Sequence, residues 1–196
     1  MTEEAKSSVI LVCPDSLPER VYLDFAKELE THGVSLKIEK TRNPSYAGLE
    51  WAVPSAVAAY LLKPFLETLL KKAAEEAYPA IKTGFKKLLG SLFGSERASR
   101  ARRISLSLSL YFESRDGYRV KALIWEGIPA EMQNEAIDKL FALIELHYKS
   151  ETSDQLRGLA PPSGPPLRWG MLFLRFDLEK RIWEPVDIVV EALKRE

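Results

Sequence analysis

From Trp51 to Gly94 the chain reads WAVPSAVAAYLLKPFLETLLKKAAEEAYPAIKTGFKKLLGSLFG, the longest helical pattern in its 196 residues. Pro54, Pro64 and Pro79 cut it into pieces. A proline inside a helix loses one backbone hydrogen bond and its ring clashes with the preceding turn. The pattern therefore predicts short, restarted helices rather than one rod. The longest charge-free stretch here runs from Trp51 to Leu62 and ends at Lys63, well short of the roughly 20 apolar residues a membrane-spanning helix needs. Phe65, Leu66, Leu69, Leu70, Ala73 and Ala74 fall on one side of a 3.6-residue period, as do Ile81, Phe85, Leu88, Leu89 and Leu92. Gly84 and Gly90 weaken the last piece. The expectation is a helical insertion over 51–94.

The segments around it read as strands. Ser8 to Cys13 (SVILVC) is a continuous apolar run, the pattern of a strand buried on both faces. Ser16 and Glu19 form a capping-box pattern with Pro18 in the first turn, predicting a helix to about His32 closed by Gly33. Val34 to Lys40 alternates, with Val34, Leu36 and Ile38 inward, as an edge strand does. Strand, helix and strand with short links predict a βαβ unit, whose crossover is expected to be right-handed. Within it, the stretch FAKELETHGVSL resembles the opening βαβ of Toll/interleukin-receptor-like domains. The resemblance covers this unit alone. No catalytic glutamate is assigned by motif, so it implies no activity for this chain.

In the second half, Ile104 to Phe112 (ISLSLSLYF) alternates almost strictly, and Asp116-Gly117 is a two-residue hairpin signal leading back through Tyr118 to Trp125. Pro129 opens a helix to about Tyr148, its inward face being Met132, Ala136, Leu140, Leu143, Ile144 and His147. Residues 150–167, with Pro161-Pro162 and Pro165-Pro166, read as a Pro-rich loop. Arg168 to Phe176 reads as a buried strand that returns through Arg181 to Trp183, and 187–196 as a short terminal helix. The fold class is α/β, with α+β as the second option. A single domain over 1–196 is expected, with a mixed sheet, an N-terminal βαβ unit, a helical insertion and a C-terminal antiparallel hairpin.

Charge narrows the function classes. Lys plus Arg and Asp plus Glu both number 28, so net charge gives no pull toward nucleic acid. The distribution is uneven. Residues 82–103 hold seven basic side chains against Glu96 alone, and residues 126–145 hold five acids against Lys139 alone. Such segments lie near one another or face water, or the basic one forms a partner surface. A lone cysteine and an acidic, polar N-terminal stretch predict a reducing, cytoplasmic setting.

Candidate chemistry is sparse. Cys13 ends the first strand beside Asp15, where open sheets bind ligands, but a nucleophile needs a base and the histidines are only His32 and His147. Neither they nor Cys13 match a metal-ligand spacing, and no Gly-rich or Walker-type motif follows the strand, so no catalytic residue, metal or cofactor is assigned. The sharpest surface is the basic amphipathic segment 79–93. Lys82, Phe85, Lys86, Lys87, Arg97 and Arg100 are the candidate partner-binding residues. No aromatics lie among the arginines, which argues against nucleic-acid stacking. The leading expectation is a non-enzymatic protein-interaction or regulatory module. The alternatives are a peripheral protein using 79–93 on an anionic membrane surface, and an enzyme with its site at the end of the first strand.

Overall fold

The computed structural model describes residues 9–41, 57–71, 74–93, 107–125, 127–149, 154–160 and 170–187. Seven strands form one mixed sheet: β1 (Val9–Pro14), β2 (Leu36–Thr41), β3 (Val57–Leu61), β4 (Ser107–Glu113), β5 (Arg119–Trp125), β6 (Met171–Asp177) and β7 (Ile182–Pro185). Their order across the sheet is β2-β1-β3-β4-β5-β6-β7. The helices are α1 (Arg20–Thr31), α2 (Lys63–Lys71), α3 (Ala74–Phe93), α4 (Ala130–Lys149) and α5 (Gln155–Leu159). The expected α/β architecture is present. β1 and β2 pair in parallel across α1, and β4 and β5 form the antiparallel hairpin, with Gly117 at φ +88° in its turn.

The helical layer lies on one face of the sheet. In register, Leu11, Ala59, Leu110, Ala122 and Leu174 make one continuous buried row across five strands. The side chains that α1, α3 and α4 bury join the same core. Phe25 of α1 meets Phe85 of α3 at 4.9 Å between ring centres, and Phe85 meets Phe141 of α4 at 5.8 Å. Trp183 of β7 donates its indole N–H to the Ala136 carbonyl of α4 at 2.9 Å, fixing the helix to the sheet edge. On the other face, Ile10, Tyr60, Tyr111, Lys121 and Phe173 form a second row.

Pairing directions settle the relative hand of the crossovers. The chain steps from β1 to β2 toward one edge, and from β3 to β4 and β5 to β6 toward the other. β3 is antiparallel to β1. β5, antiparallel to β4, which is itself parallel to β3, runs with β1. With all crossover helices on one face, the β5–β6 connection has the hand opposite to the other two. The right-handed rule therefore cannot hold for all three.

Several sequence expectations are corrected. Residues 57–61 are a strand, not the first turns of a helical insertion. A short apolar run carries no periodicity that separates the two, and here the backbone is claimed by ladders to β1 and β4 on both sides. Pro79 does not restart a helix: α3 runs through it, the ring standing on the exposed side at the sixth residue of the helix. The Ser16–Glu19 capping box does not form. α1 starts at Arg20, and Glu19 is its N-cap without a side-chain bond. β1 is fully buried at Val9, Leu11 and Cys13 but only half-buried at Ile10 and Val12. The Pro-rich segment contains α5, capped by Asp154, whose carboxylate accepts the Arg157 N–H at 3.0 Å. Gly33, at φ +69°, closes α1 as expected. Pro54, Pro161-Pro162, Pro165-Pro166 and the expected terminal helix lie outside the described residues, apart from Asp187.

Gly84 is buried where α1 and α3 meet. A Cβ there would stand 2.9 Å from the Phe25 ring, itself held against Phe85. Gly90 is exposed with nothing within 4 Å. In urea denaturation, Gly84→Ala is expected to cost about 1–3 kcal/mol by overpacking. Gly90→Ala in the same helix is expected to stabilise by up to about 1 kcal/mol. Equal effects would show that the two helices do not meet at Gly84.

Candidate functional site

β3 and β4 are parallel, so their carboxyl ends open on the same side of the sheet, and the chain turns there into α2 at Lys63. A cleft of about 300 Å³ lies at these ends. Tyr60 and Leu61 come from β3, Leu62 and Lys63 from the entry to α2, and Tyr111, Phe112 and Glu113 from β4. Arg119 and Met171, at the starts of β5 and β6, complete it, and register aligns Glu113, Arg119 and Met171 in one row. The apolar wall is a stacked pair: the Tyr60 and Tyr111 rings lie 4.6 Å apart, tilted by 13°. Behind Tyr111, the fully buried Lys121 places its ammonium 5.1 Å from that ring and 6.0 Å from Phe173, a cation–π arrangement strengthened by exclusion of water.

The charged rim is tied down. Lys63 Nζ lies 3.4 Å from Glu113 Oε1 and 3.4 Å from the Arg115 carbonyl. The Glu113 carbonyl accepts the hydroxyl of Tyr148 from α4. Burial, reinforced by the charges of Glu67 and Glu113, pushes the Tyr148 hydroxyl up, so it remains a neutral donor.

Below the rim, the hairpin turn is joined to α4 and α5 through His147. Its Nδ1 lies 2.7 Å from Asp154 Oδ2, and its Nε2 accepts the Arg115 N–H at 2.8 Å. An acceptor at Nε2 fixes the proton on Nδ1 and the ring as neutral imidazole. The His147 and Asp154 side chains are 0% and 2% exposed. Arg115 stands 3.8 Å from Asp154, and Arg157 stands 3.4 Å from Asp116. Tyr118, in ring contact with His147, has its hydroxyl pushed up to about 12 by burial first and then by the charges of Asp154 and Asp116. Asp116, His147 and Asp154 bring one ligand atom each within 4.8 Å of one another. Both imidazole nitrogens are already engaged and two arginines balance the carboxylates, so the trio is a hydrogen-bonded lock rather than an open metal site. The same engagement of Nε2 removes the lone pair a general base would use.

The residues singled out from sequence fall differently. Phe85 is fully buried in the ring chain between α1 and α4. Lys82 and Lys86 converge on Asp138 of α4 at 3.0 and 2.8 Å, whereas Lys87 turns to Glu28 of α1 at 2.5 Å. The basic and acidic segments thus meet through Asp138. Arg97 and Arg100 lie outside the described residues. Cys13 is in the core, its thiol pushed up by burial with Lys40 opposing, whereas a nucleophilic thiol is ordinarily activated by a lowered pKa.

Sequence reasoning missed the cleft. Tyr60 falls within the expected helical insertion 51–94, and Lys63 marks only the end of a charge-free run. One signal was present: the Ser-Leu alternation of β4 breaks at Tyr111, where an aromatic replaces the serine on the second face. No family model, curated protein or solved structure matches this chain.

Burial alone would raise the Asp138 carboxyl, but the Lys86 and Lys82 ammoniums outweigh it and hold the pKa below the ordinary value. A lowered carboxyl stabilises the fold above the unfolded pKa of about 3.9, and that contribution is lost as pH falls through the folded value. Asp138 is 43% exposed, so the effect is screened. Asp138→Asn is expected to cost up to about 1 kcal/mol near neutral pH, and the difference from wild type should shrink below about pH 3.9 and in high salt. A pH-independent difference would remove the ion pairs as its cause.

Proposed function

We propose that this chain is a non-enzymatic protein-interaction module that reads a partner segment through the cleft at the carboxyl ends of β3 and β4. The observation that carries this reading is the stacked Tyr60–Tyr111 wall set beside the charged rim of Lys63, Glu113 and Arg119. Binding sites are concave, mostly apolar, and oriented by a few polar groups, and in open α/β sheets they gather at carboxyl strand ends. At about 300 Å³ the cleft is at the small end of ligand pockets, a size for one large side chain rather than a cofactor. Among the described residues lining it, Lys63 and Arg119 are cations that favour an acidic neighbour beside that side chain. A cytoplasmic setting is part of the proposal, supported by the single cysteine being a buried free thiol. No helix among the described residues is long and apolar enough to cross a membrane.

The competing partner is an anionic membrane surface met by segment 79–93. It would have to act through the partly exposed Lys82, Lys86 and Lys87, because Phe85, Leu88 and Leu89 sit in the core. An enzyme site at the end of β1 would have to use Asp15, which lies on the exposed turn, since Cys13 is buried.

Selection of a displayed peptide library on the wild-type protein is expected to enrich sequences pairing a large apolar residue with an adjacent acid. Tyr60→Ala and Lys63→Glu, each checked for retained circular dichroism, should weaken those peptides at least tenfold, about 1.4 kcal/mol. Peptides that bind wild type and both variants equally would place recognition elsewhere.

A further inference from the structure

We infer that His147 is a proton-operated latch on the β4–β5 turn: a proton taken from solvent at Nε2 expels the Arg115 N–H and releases the backbone that positions Lys63.

The latch is closed in the neutral form. Nε2 uses its lone pair to accept the Arg115 N–H at 2.8 Å, in a ring with no solvent exposure. Protonation fills that lone pair. Two N–H donors then point at each other across 2.8 Å, and the buried Arg115 hydrogen bond breaks. Asp154, 2.7 Å from Nδ1, keeps its hydrogen bond in both forms, and its charge favours the imidazolium. The proton therefore shifts the turn rather than expelling the ring. The groups facing the ring are Asp154 at the α5 cap, Arg115 and Asp116 of the turn, Tyr118 just before β5 and Tyr148 of α4, with Arg157 of α5 balancing Asp116.

The rest of the turn does not depend on the latch. Ser114 N–H donates to the Tyr118 carbonyl at 2.8 Å, and Ser114 Oγ accepts the Tyr118 N–H at 3.1 Å. Opening is thus confined to Arg115, whose carbonyl lies 3.4 Å from Lys63 Nζ at the cleft rim. The consequence for binding rests on the recognition role proposed above, and the latch itself does not.

The closed latch holds no proton at Nε2, so closure weakens as pH falls. In amide-exchange NMR on the full chain between pH 8 and 5, corrected for intrinsic exchange, Arg115 protection is expected to fall as pH is lowered, by up to about tenfold per pH unit. Leu110, inside β4, should stay protected. In His147→Gln a side-chain carbonyl can still accept the Arg115 N–H but does not titrate, so protection should be flat. Should that variant not fold, Asp154→Asn, which removes the charge favouring the imidazolium, should move the onset to lower pH. A flat Arg115 profile in wild type, an unchanged fall in His147→Gln, or an unmoved onset in Asp154→Asn overturns the latch. A flat profile leaves the cleft standing. A pH-dependent Arg115 with no peptide bound at any pH sustains the latch and rejects the cleft.

Discussion

Three phenylalanine rings carry the helical layer. Phe25, Phe85 and Phe141 come from three helices and touch in series, over a sheet row in which Ala59 and Ala122 alternate with leucines. Burying each ring is worth about 1.5–3 kcal/mol, and more important, each ring's position depends on the next. The small residues around them follow from this. Gly84 lets α1 approach α3, and Ala59 and Ala122 leave room over the middle of the sheet. The lysines beside Phe85 are then carried to fixed places, where Asp138 and Glu28 meet them. The basic face that stands out in the sequence is a by-product of where the ring must go.

How much of this is legible in the sequence depends on the range of the determining interaction. Gly33, the alternation of β4 and the inward face of α4 are set by residues a few positions apart, and they appear where the pattern places them. The β4–β5 hairpin turns at Asp116-Gly117 too, but through three residues, 115–117, rather than two. β3 is different. Val57 to Leu61 is a strand because β1 and β4 hold it from both sides, and no local feature of VAAYL reports partners dozens of residues away. Pro79 misled for the converse reason. It is an interior residue, the sixth of α3, and the helix runs on through it with the ring on an exposed face.

The site was less legible than the fold. Its cleft needs Tyr60, Lys63, Tyr111, Glu113, Arg119 and Met171 from four strands and a helix entry, and strand order is what no single segment encodes. His147 was placed on the inward face of α4, but its two partners lie in the hairpin turn and before α5. The broken Ser-Leu alternation at Tyr111 was the one trace of a second, aromatic face.

The unlike hand of the β5–β6 connection bears on descent. The chain runs strand, two helices, strand from β3 to β4, and strand, two helices, strand again from β5 to β6. On paper these look like two copies of one unit. Duplication preserves chirality, and no rotation superposes a path on its mirror image. The two halves are therefore alike in their order of elements but not in their geometry. Among the described residues, any likeness between them stops at the order in which strands and helices follow one another.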